Sequence, residues 1–316
     1  MAANYGWGRR IAYQAAALLA AVALGWFLAR NTAANLEASR IASGFGFLAR
    51  EAGFEIGESA FLRYSASDTY LDALAVGLAN TLAVSLIGIA LATVLGAAIG
   101  LGRLSRNFLL RSLGAAYVEF LRNVPLLVQL FFWYAVIAEG LPHPREALEP
   151  LPGVFLSNRG IFFPTFSSSP ALEGFNFAGG AALTPEFAAL LIGLATYTAA
   201  FIAEIVRAGV LAIERGQWEA AYAIGLTRRQ ALAHVALPQA LRVIVPPATS
   251  QFLNLTKNSS LAVAIGYPDL VSVANTTINQ TGQAIEGIAI IMAVYLTISL
   301  SISALMNWYN ARVMRR

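Results

Sequence analysis

Apolar residues in this chain gather in six long blocks, separated by stretches that are charged or rich in proline, glycine and serine. The blocks fall near residues 11–29, 73–101, 113–138, 186–212, 243–265 and 285–307. About 20 apolar residues in a helix cross the roughly 30 Å hydrocarbon layer of a bilayer, so the pattern predicts an all-α fold, a polytopic membrane helix bundle of about six transmembrane helices. The fifth block is the most polar and is interrupted by Pro246-Pro247. Arg9-Arg10 ahead of an Ala/Leu-rich run also fits a signal peptide. The length of that run, with no clean small-x-small site close behind it, favours a retained helix.

Two polar stretches stand out. Segment 139–185 is too rich in Pro, Gly and Ser to span, with Leu141-Pro142-His143-Pro144, Pro150-Leu151-Pro152-Gly153 and Ser167-Ser168-Ser169-Pro170. Phe162, Phe163, Phe166, Phe175 and Phe177 argue that it is ordered, packed on the membrane surface. Thr184-Pro185-Glu186 reads as an N-cap with Pro at the first helical position, opening the fourth span. The other stretch, 214–240, reads as two short helices joined by a tight turn. Ala220 and Ala221 favour helix and leave a flat surface, and Gly225 is free to take the left-handed conformation that ends a helix. Thr227-Arg228-Arg229-Gln230 fits a capping box, and Pro238 is expected to stop the second helix. A capped helix pair between membrane spans is a docking element.

Composition agrees with the membrane reading. The 316 residues are 58% hydrophobic and 12% charged, with mean hydropathy +0.63; soluble domains carry roughly 25% charged residues. Cysteine is absent and His143 and His234 are the only histidines, which removes disulfide, thiol and ordinary zinc or haem chemistry. The single lysine, Lys257, lies in an apolar context, and no phosphate-binding Gly-x-x-x-x-Gly-Lys-Ser/Thr loop exists. Catalysis by this chain is therefore not expected. The net charge of +4 comes from arginines spread among apolar spans rather than clustered with aromatics, so nucleic acid is not an expected partner and membrane lipid is.

The arginines also orient the chain. Arg9 and Arg10, then Arg103, Arg106 and Arg111, then Arg215, Arg228, Arg229 and Arg242, and finally Arg312, Arg315 and Arg316 occupy alternate connecting segments. Segments 30–72 and 139–185 carry more acids than bases. The positive-inside rule then places both termini and 214–240 in the cytoplasm. The expected organisation is an N-terminal helix with an external segment (1–69), a membrane domain (70–310) holding the external loop 139–185 and the cytoplasmic loop 214–240, and a basic tail (311–316).

With those motifs in place, Glu219-Ala220-Ala221, three residues, Gly225, nine residues, then Val235-Ala236-Leu237-Pro238 resembles the EAA loop of ABC-transporter permeases, Val235 standing where Ile is usual. The resemblance extends over roughly 70–310. Phe120-Leu121-Arg122-Asn123-Val124-Pro125-Leu126-Leu127-Val128-Gln129 is similar to the Arg-Gly-Thr-Pro-Leu-Leu-Val-Gln stretch of the polar amino-acid uptake permeases, departing at Asn123 and Val124. Ala203-Glu204-Ile205-Val206-Arg207, Gly216-Gln217-Trp218-Glu219 and Lys257-Asn258-Ser259-Ser260-Leu261 resemble other parts of that family. The extra first helix, the 139–185 loop and Phe155-Leu156-Ser157-Asn158-Arg159-Gly160 are most like general L-amino-acid permeases (the glutamate/glutamine/aspartate type) of Gram-negative bacteria.

The resemblance implies a type I, binding-protein-dependent ABC importer permease in the bacterial inner membrane, importing L-amino acids by alternating access. It implies separate ABC ATPase subunits, which hold ATP and Mg, a second related permease subunit forming a heterodimer, and a periplasmic amino-acid-binding protein; this chain itself holds no cofactor or metal. Glu219, Ala220, Ala221, Gly225, Leu237 and Pro238 are the expected coupling residues. A secondary transporter driven by an ion gradient is the alternative; it calls for intramembrane acids and no capped cytoplasmic helix pair.

Lys257 lies about 15 residues past Arg242, roughly 22 Å along a helix, where a charge is costly and marks function. Ser250, Asn254, Lys257 and Asn258 share a helical face, and with Ser259 they make a candidate substrate site in which the ammonium meets an α-carboxylate. The other reading pairs Lys257 with a structural acid such as Glu204 or Asp269. Glu204 and Arg207, three residues apart, are expected to pair with each other or with a neighbouring helix. Pro125 predicts a kink, Arg122 an anchor at the cytoplasmic side, and Gln129, seven residues on, is a candidate pathway residue.

Overall fold

Each apolar block becomes helix, but two of them break. The computed structural model describes residues 5–38, 43–59 and 62–314; Arg315 and Arg316 of the basic tail lie outside the described residues. Among the described residues, four helices are long and apolar enough to cross a bilayer: α1 (Tyr5–Ala38), α2 (Tyr70–Gly102), α5 (Pro185–Leu211) and α10 (Ala284–Met314). Two bent helix pairs are apolar enough as well, so by length and composition the described residues offer four candidate spans, or up to six if each pair is one span.

The first bent pair is α3 (Phe108–Asn123) and α4 (Leu126–Ala138), which meet at 106°. The expected kink at Pro125 is thus a full break. The residue before a proline is driven out of the α region, and Val124 is extended (φ −91°, ψ 127°) with Pro125 opening α4. In the second pair, α6 (Arg215–Ala223) is followed by α7 (Arg228–Ala231), a π-helical turn over Leu232–Ala236, α8 (Leu237–Asn258) and a 3-10 stretch over Ser259–Ile265. The stretch Arg228–Ile265 then meets α9 (Leu270–Thr281) at 53°. Pro238 does not stop a helix, contrary to expectation. A proline ring crowds the carbonyl four residues back and supplies no N–H; the chain widens into the π turn, where Leu237 N–H donates to Leu232 O, and continues.

The core is the α2–α5 seam, extended by α4, α8 and the 3-10 stretch; Val84, Leu130, Leu190, Leu194, Ile202 and Leu255 are buried there. Small residues allow the close approach: a Cβ on Gly100 would sit 2.6 Å from the Ala203 carbonyl oxygen. At the end where α2 begins, Thr69 and Asp72 form a reciprocal capping box. There the buried Asn80 amide donates to the carbonyls of Glu58 (2.8 Å) and Pro268 (3.0 Å), lacing the segment before α2 to the α9 break.

Residues 139–183 are ordered, as the phenylalanines indicate, but as β-structure. Strands β1 (Leu148–Leu151), β2 (Val154–Ser157), β3 (Gly160–Phe163) and β6 (Ala181–Leu183) form an antiparallel sheet in that order, and β4 (Ala171–Glu173) pairs with β5 (Asn176–Ala178) as a separate hairpin. Phe155 opposes Phe162 on the sheet, and both pack on Phe177 of the hairpin. The fold is therefore mostly rather than wholly helical.

Candidate functional site

The capped helix pair has the geometry its residues dictate. Gly225 closes α6 at φ +81°. Leu226 N–H donates to Ala221 O (3.1 Å) and Gly225 N–H to Tyr222 O (3.0 Å), the paired bonds of a Schellman stop. Thr227 then opens α7: its hydroxyl accepts from Gln230 N–H while Gln230 Oε1 accepts from Thr227 N–H (2.9 Å). Gln239 Nε2 donates to Gln217 Oε1 (3.1 Å), tying the start of α8 to α6.

Side chains sort by face. Ala221 is buried, as are Ala231, Ala236 and Ala240, so the flat alanine surface closes the two arms on each other. Glu219, Ala220 and Gly225 are exposed, Pro238 is half-buried, and Tyr222 (47%), Ile224 (76%), Leu232 (50%) and Leu237 (48%) expose apolar surface. Arg228 and Arg229 are exposed beside them. A patch that is apolar at its centre and charged at its margin has the anatomy of a protein interface. Of this patch, Tyr222, Ile224 and Leu232 were not singled out from sequence, because an exposed apolar residue is conspicuous only once the fold shows what is left uncovered.

At the same end of the bundle, Arg103 at the close of α2 and Arg207 on α5 both reach Glu204, at 2.5 Å each. Arg122 stacks over Phe201, 5.1 Å from its ring centre. These groups hold α2, α3 and α5 together.

The candidate substrate residues divide. Asn254 and Lys257 are exposed on α8 with Ser250 on the same face, and Asn258 is half-buried. Ser259 is fully buried, its hydroxyl donating to Thr256 O (2.7 Å). Gln129 is buried too; its Nε2 donates to Leu121 O and Val124 O, both at 3.0 Å, which caps the frayed end of α3. Neither structural acid considered for Lys257 meets it. Glu204 is held by its two arginines. Asp269 is buried as the N-cap of α9, accepting from Ser272 N–H (2.8 Å) and the Tyr295 hydroxyl (3.4 Å).

At the opposite end, a hollow of about 440 Å³ opens between the segment before α2, the start of α5 and the α9 break, with Glu55, Glu58, Glu186, Ser272 and Thr276 on its wall. The Thr184 hydroxyl donates to Glu58. Burial pushes the Glu58 carboxyl above the usual range, the Thr184 bond pulls it down, and Glu186 pushes it up. Among the described residues no cluster of His, Asp and Glu has the arrangement of a metal site.

Comparison with known proteins adds a family to this geometry. The family model described as binding-protein-dependent transport system inner membrane component matches residues 92–315. The putative amino-acid ABC transporter permease protein YhdX of Escherichia coli (strain K12) is 45% identical over 95% of this chain and 93% of its own length. The general L-amino acid transport system permease protein AapQ of Rhizobium johnstonii is 42% identical, over 96% and 92%. Among solved structures, an amino acid ABC transporter crystallised with histidines superposes with a TM-score of 0.57 at 28% identity, covering 77% of this chain and 95% of that one.

Proposed function

Since the chain belongs to the binding-protein-dependent transport system inner membrane component family, we propose that it is a permease subunit of an ATP-driven importer of L-amino acids. Relatives and the superposed transporter bear names of amino-acid ABC systems, and nothing among them favours the ion-gradient alternative. The observation that carries the assignment is the docking helix pair: a Schellman stop, a reciprocal capping box and an exposed apolar patch.

ATP binds and is hydrolysed on separate ATPase subunits. The patch around Tyr222, Ile224 and Leu237 seats on that partner, with Glu219 and Gly225 shaping the seat. Closure of the ATPase pair then moves the helix pair as a lever. Because α8 continues from it through the π turn, the displacement reaches the Asn254–Lys257 face directly, and the bundle rocks between inward-facing and outward-facing states. The arginine-rich end is cytoplasmic and the β-structured segment external, in the orientation that positive charge favours. A binding protein delivers substrate there. A second permease subunit covers the polar face of α8; exposed Ser250, Asn254 and Lys257 have no favourable contact with lipid tails and require a partner or water.

The test is coupling. Gly225→Val puts a β-branched residue at positive φ, and Glu219→Lys reverses charge on the seat. Both are expected to cut substrate-stimulated ATP hydrolysis while membrane insertion stays intact. Normal stimulation in both variants, with the complex assembled, would sink the assignment.

A further inference from the structure

Three turns converge at the end of the β-structured segment that joins α4 and α5: the 3-10 turn Pro144–Glu146, the β2–β3 tip at Asn158-Arg159, and the β4–β5 tip at Gly174-Phe175. Between them lies a cleft of about 380 Å³ lined by His143, Arg145, Glu146, Arg159 and Phe175. We propose that this cleft seats an acidic side chain of the external binding protein, making the β-structured segment a docking platform; this rests on the importer reading and its orientation.

The cleft is built and fixed. Asn158 N–H donates to Pro142 O (2.8 Å), and the Asn158 amide lies 3.3 Å from His143 Nδ1, fastening one hairpin tip to the 3-10 turn. The Phe155–Phe177 stack, with ring centres 4.5 Å apart, holds the other hairpin on the sheet. The Arg145 guanidinium stacks 4.8 Å over Phe175, an arrangement that presets its donor fork for a carboxylate. The only ion pairs among the described residues are those of Glu204 with Arg103 and Arg207, so Arg145 and Arg159 keep their charge available. Glu146 also lines the cleft and leaves it a net positive charge. Phe175, which lines the cleft, is also highly exposed, the apolar component a protein interface uses.

An anionic lipid headgroup offers related chemistry, but the surroundings disfavour it. Segment 139–185 as a whole carries Glu139, Glu146, Glu149 and Glu173 against Arg145 and Arg159. A net-acidic segment is repelled by an anionic membrane surface, whereas one carboxylate entering a local cationic cleft is attracted.

The experiment uses the intact transporter in vesicles and the binding protein that co-purifies with it, saturated with equal amounts of L-glutamate, L-glutamine and L-arginine. ATP hydrolysis is titrated against binding-protein concentration for wild type, Arg145→Glu/Arg159→Glu and Arg145→Lys/Arg159→Lys. The double reversal is expected to raise the half-saturating concentration about tenfold or more, with unbinding steepened by salt in wild type only, and with basal and maximal rates unchanged. The lysine pair is expected to fall between. If the reversal fails to assemble, Arg145→Gln/Arg159→Gln gives the same readout. Unchanged half-saturation in an assembled variant overturns the proposal alone; a wild type that no binding protein stimulates overturns the importer reading and this proposal with it. A difference between wild type and variant that appears in vesicles containing phosphatidylglycerol and vanishes in phosphatidylcholine alone assigns the cleft to lipid and also overturns it.

Discussion

Lys257 is the only lysine in the chain, and its two structural partners on offer are both engaged elsewhere. Glu204 is paired with both Arg103 and Arg207, and Asp269 caps α9. An ammonium on an exposed face of a membrane helix, with Asn254 one turn below it, suits the group that all amino acids share, the α-carboxylate. Charge-assisted hydrogen bonds contribute about 1.5–3 kcal/mol, or roughly ten- to hundredfold in affinity. Lys257→Met keeps bulk and removes charge, so uptake per assembled complex in reconstituted vesicles is expected to fall for glutamate, glutamine and arginine alike. Wild-type uptake of all three would exclude the anchor role; loss of one alone would mean that the lysine reads a side chain. Gln129 illustrates the opposite outcome at this scale. Its amide spends both hydrogens on the carbonyls that the Pro125 break leaves unpaired, a use that no spacing rule reveals.

Between elements, packing turns on how closely α2 and α5 approach. Gly100 stands against backbone, where an added Cβ would lie 2.6 Å from the Ala203 carbonyl oxygen, while Gly102, two residues on, has open space. Gly100→Ala is expected to cost about 1–3 kcal/mol of stability by forcing the seam apart, and Gly102→Ala very little. Thermal unfolding of the two variants in detergent checks this; equal melting temperatures would show that the seam is not tight. The coupling pair shows the converse use of a local fault. Pro238 costs the helix one hydrogen bond, and the π turn that absorbs it keeps α7 and α8 one continuous helical stretch.

At the scale of the whole molecule, the exposed polar face of α8 has no favourable contact with lipid tails and calls for water or a partner against it. We expect its second permease to be a related but unequal subunit, since the α1 helix and the β-structured segment are additions a partner need not share, and one strong substrate site per transporter suffices. Purification from native membranes followed by identification of every subunit is expected to find a second permease. A preparation with this permease as its sole membrane subunit, fully active with its ATPase, would refute that expectation.

Sequence by itself determined what depends on neighbours along the chain. Long apolar blocks must become helices because a bilayer leaves backbone groups no other partner, and the turn between α6 and α7 is set by Gly225, Thr227 and Gln230 within a few residues of one another. Tertiary structure decided whatever needed distant partners. Strands of three or four residues are too short to show a period, so the β-structured segment exists only through pairing across the 139–183 stretch. The burial of Ser259, the engagement of Glu204 by Arg103 and the convergence of Arg145, Arg159 and Phe175 on one cleft likewise follow from elements meeting in space, where side-chain chemistry is fixed by what lies opposite rather than by what lies adjacent.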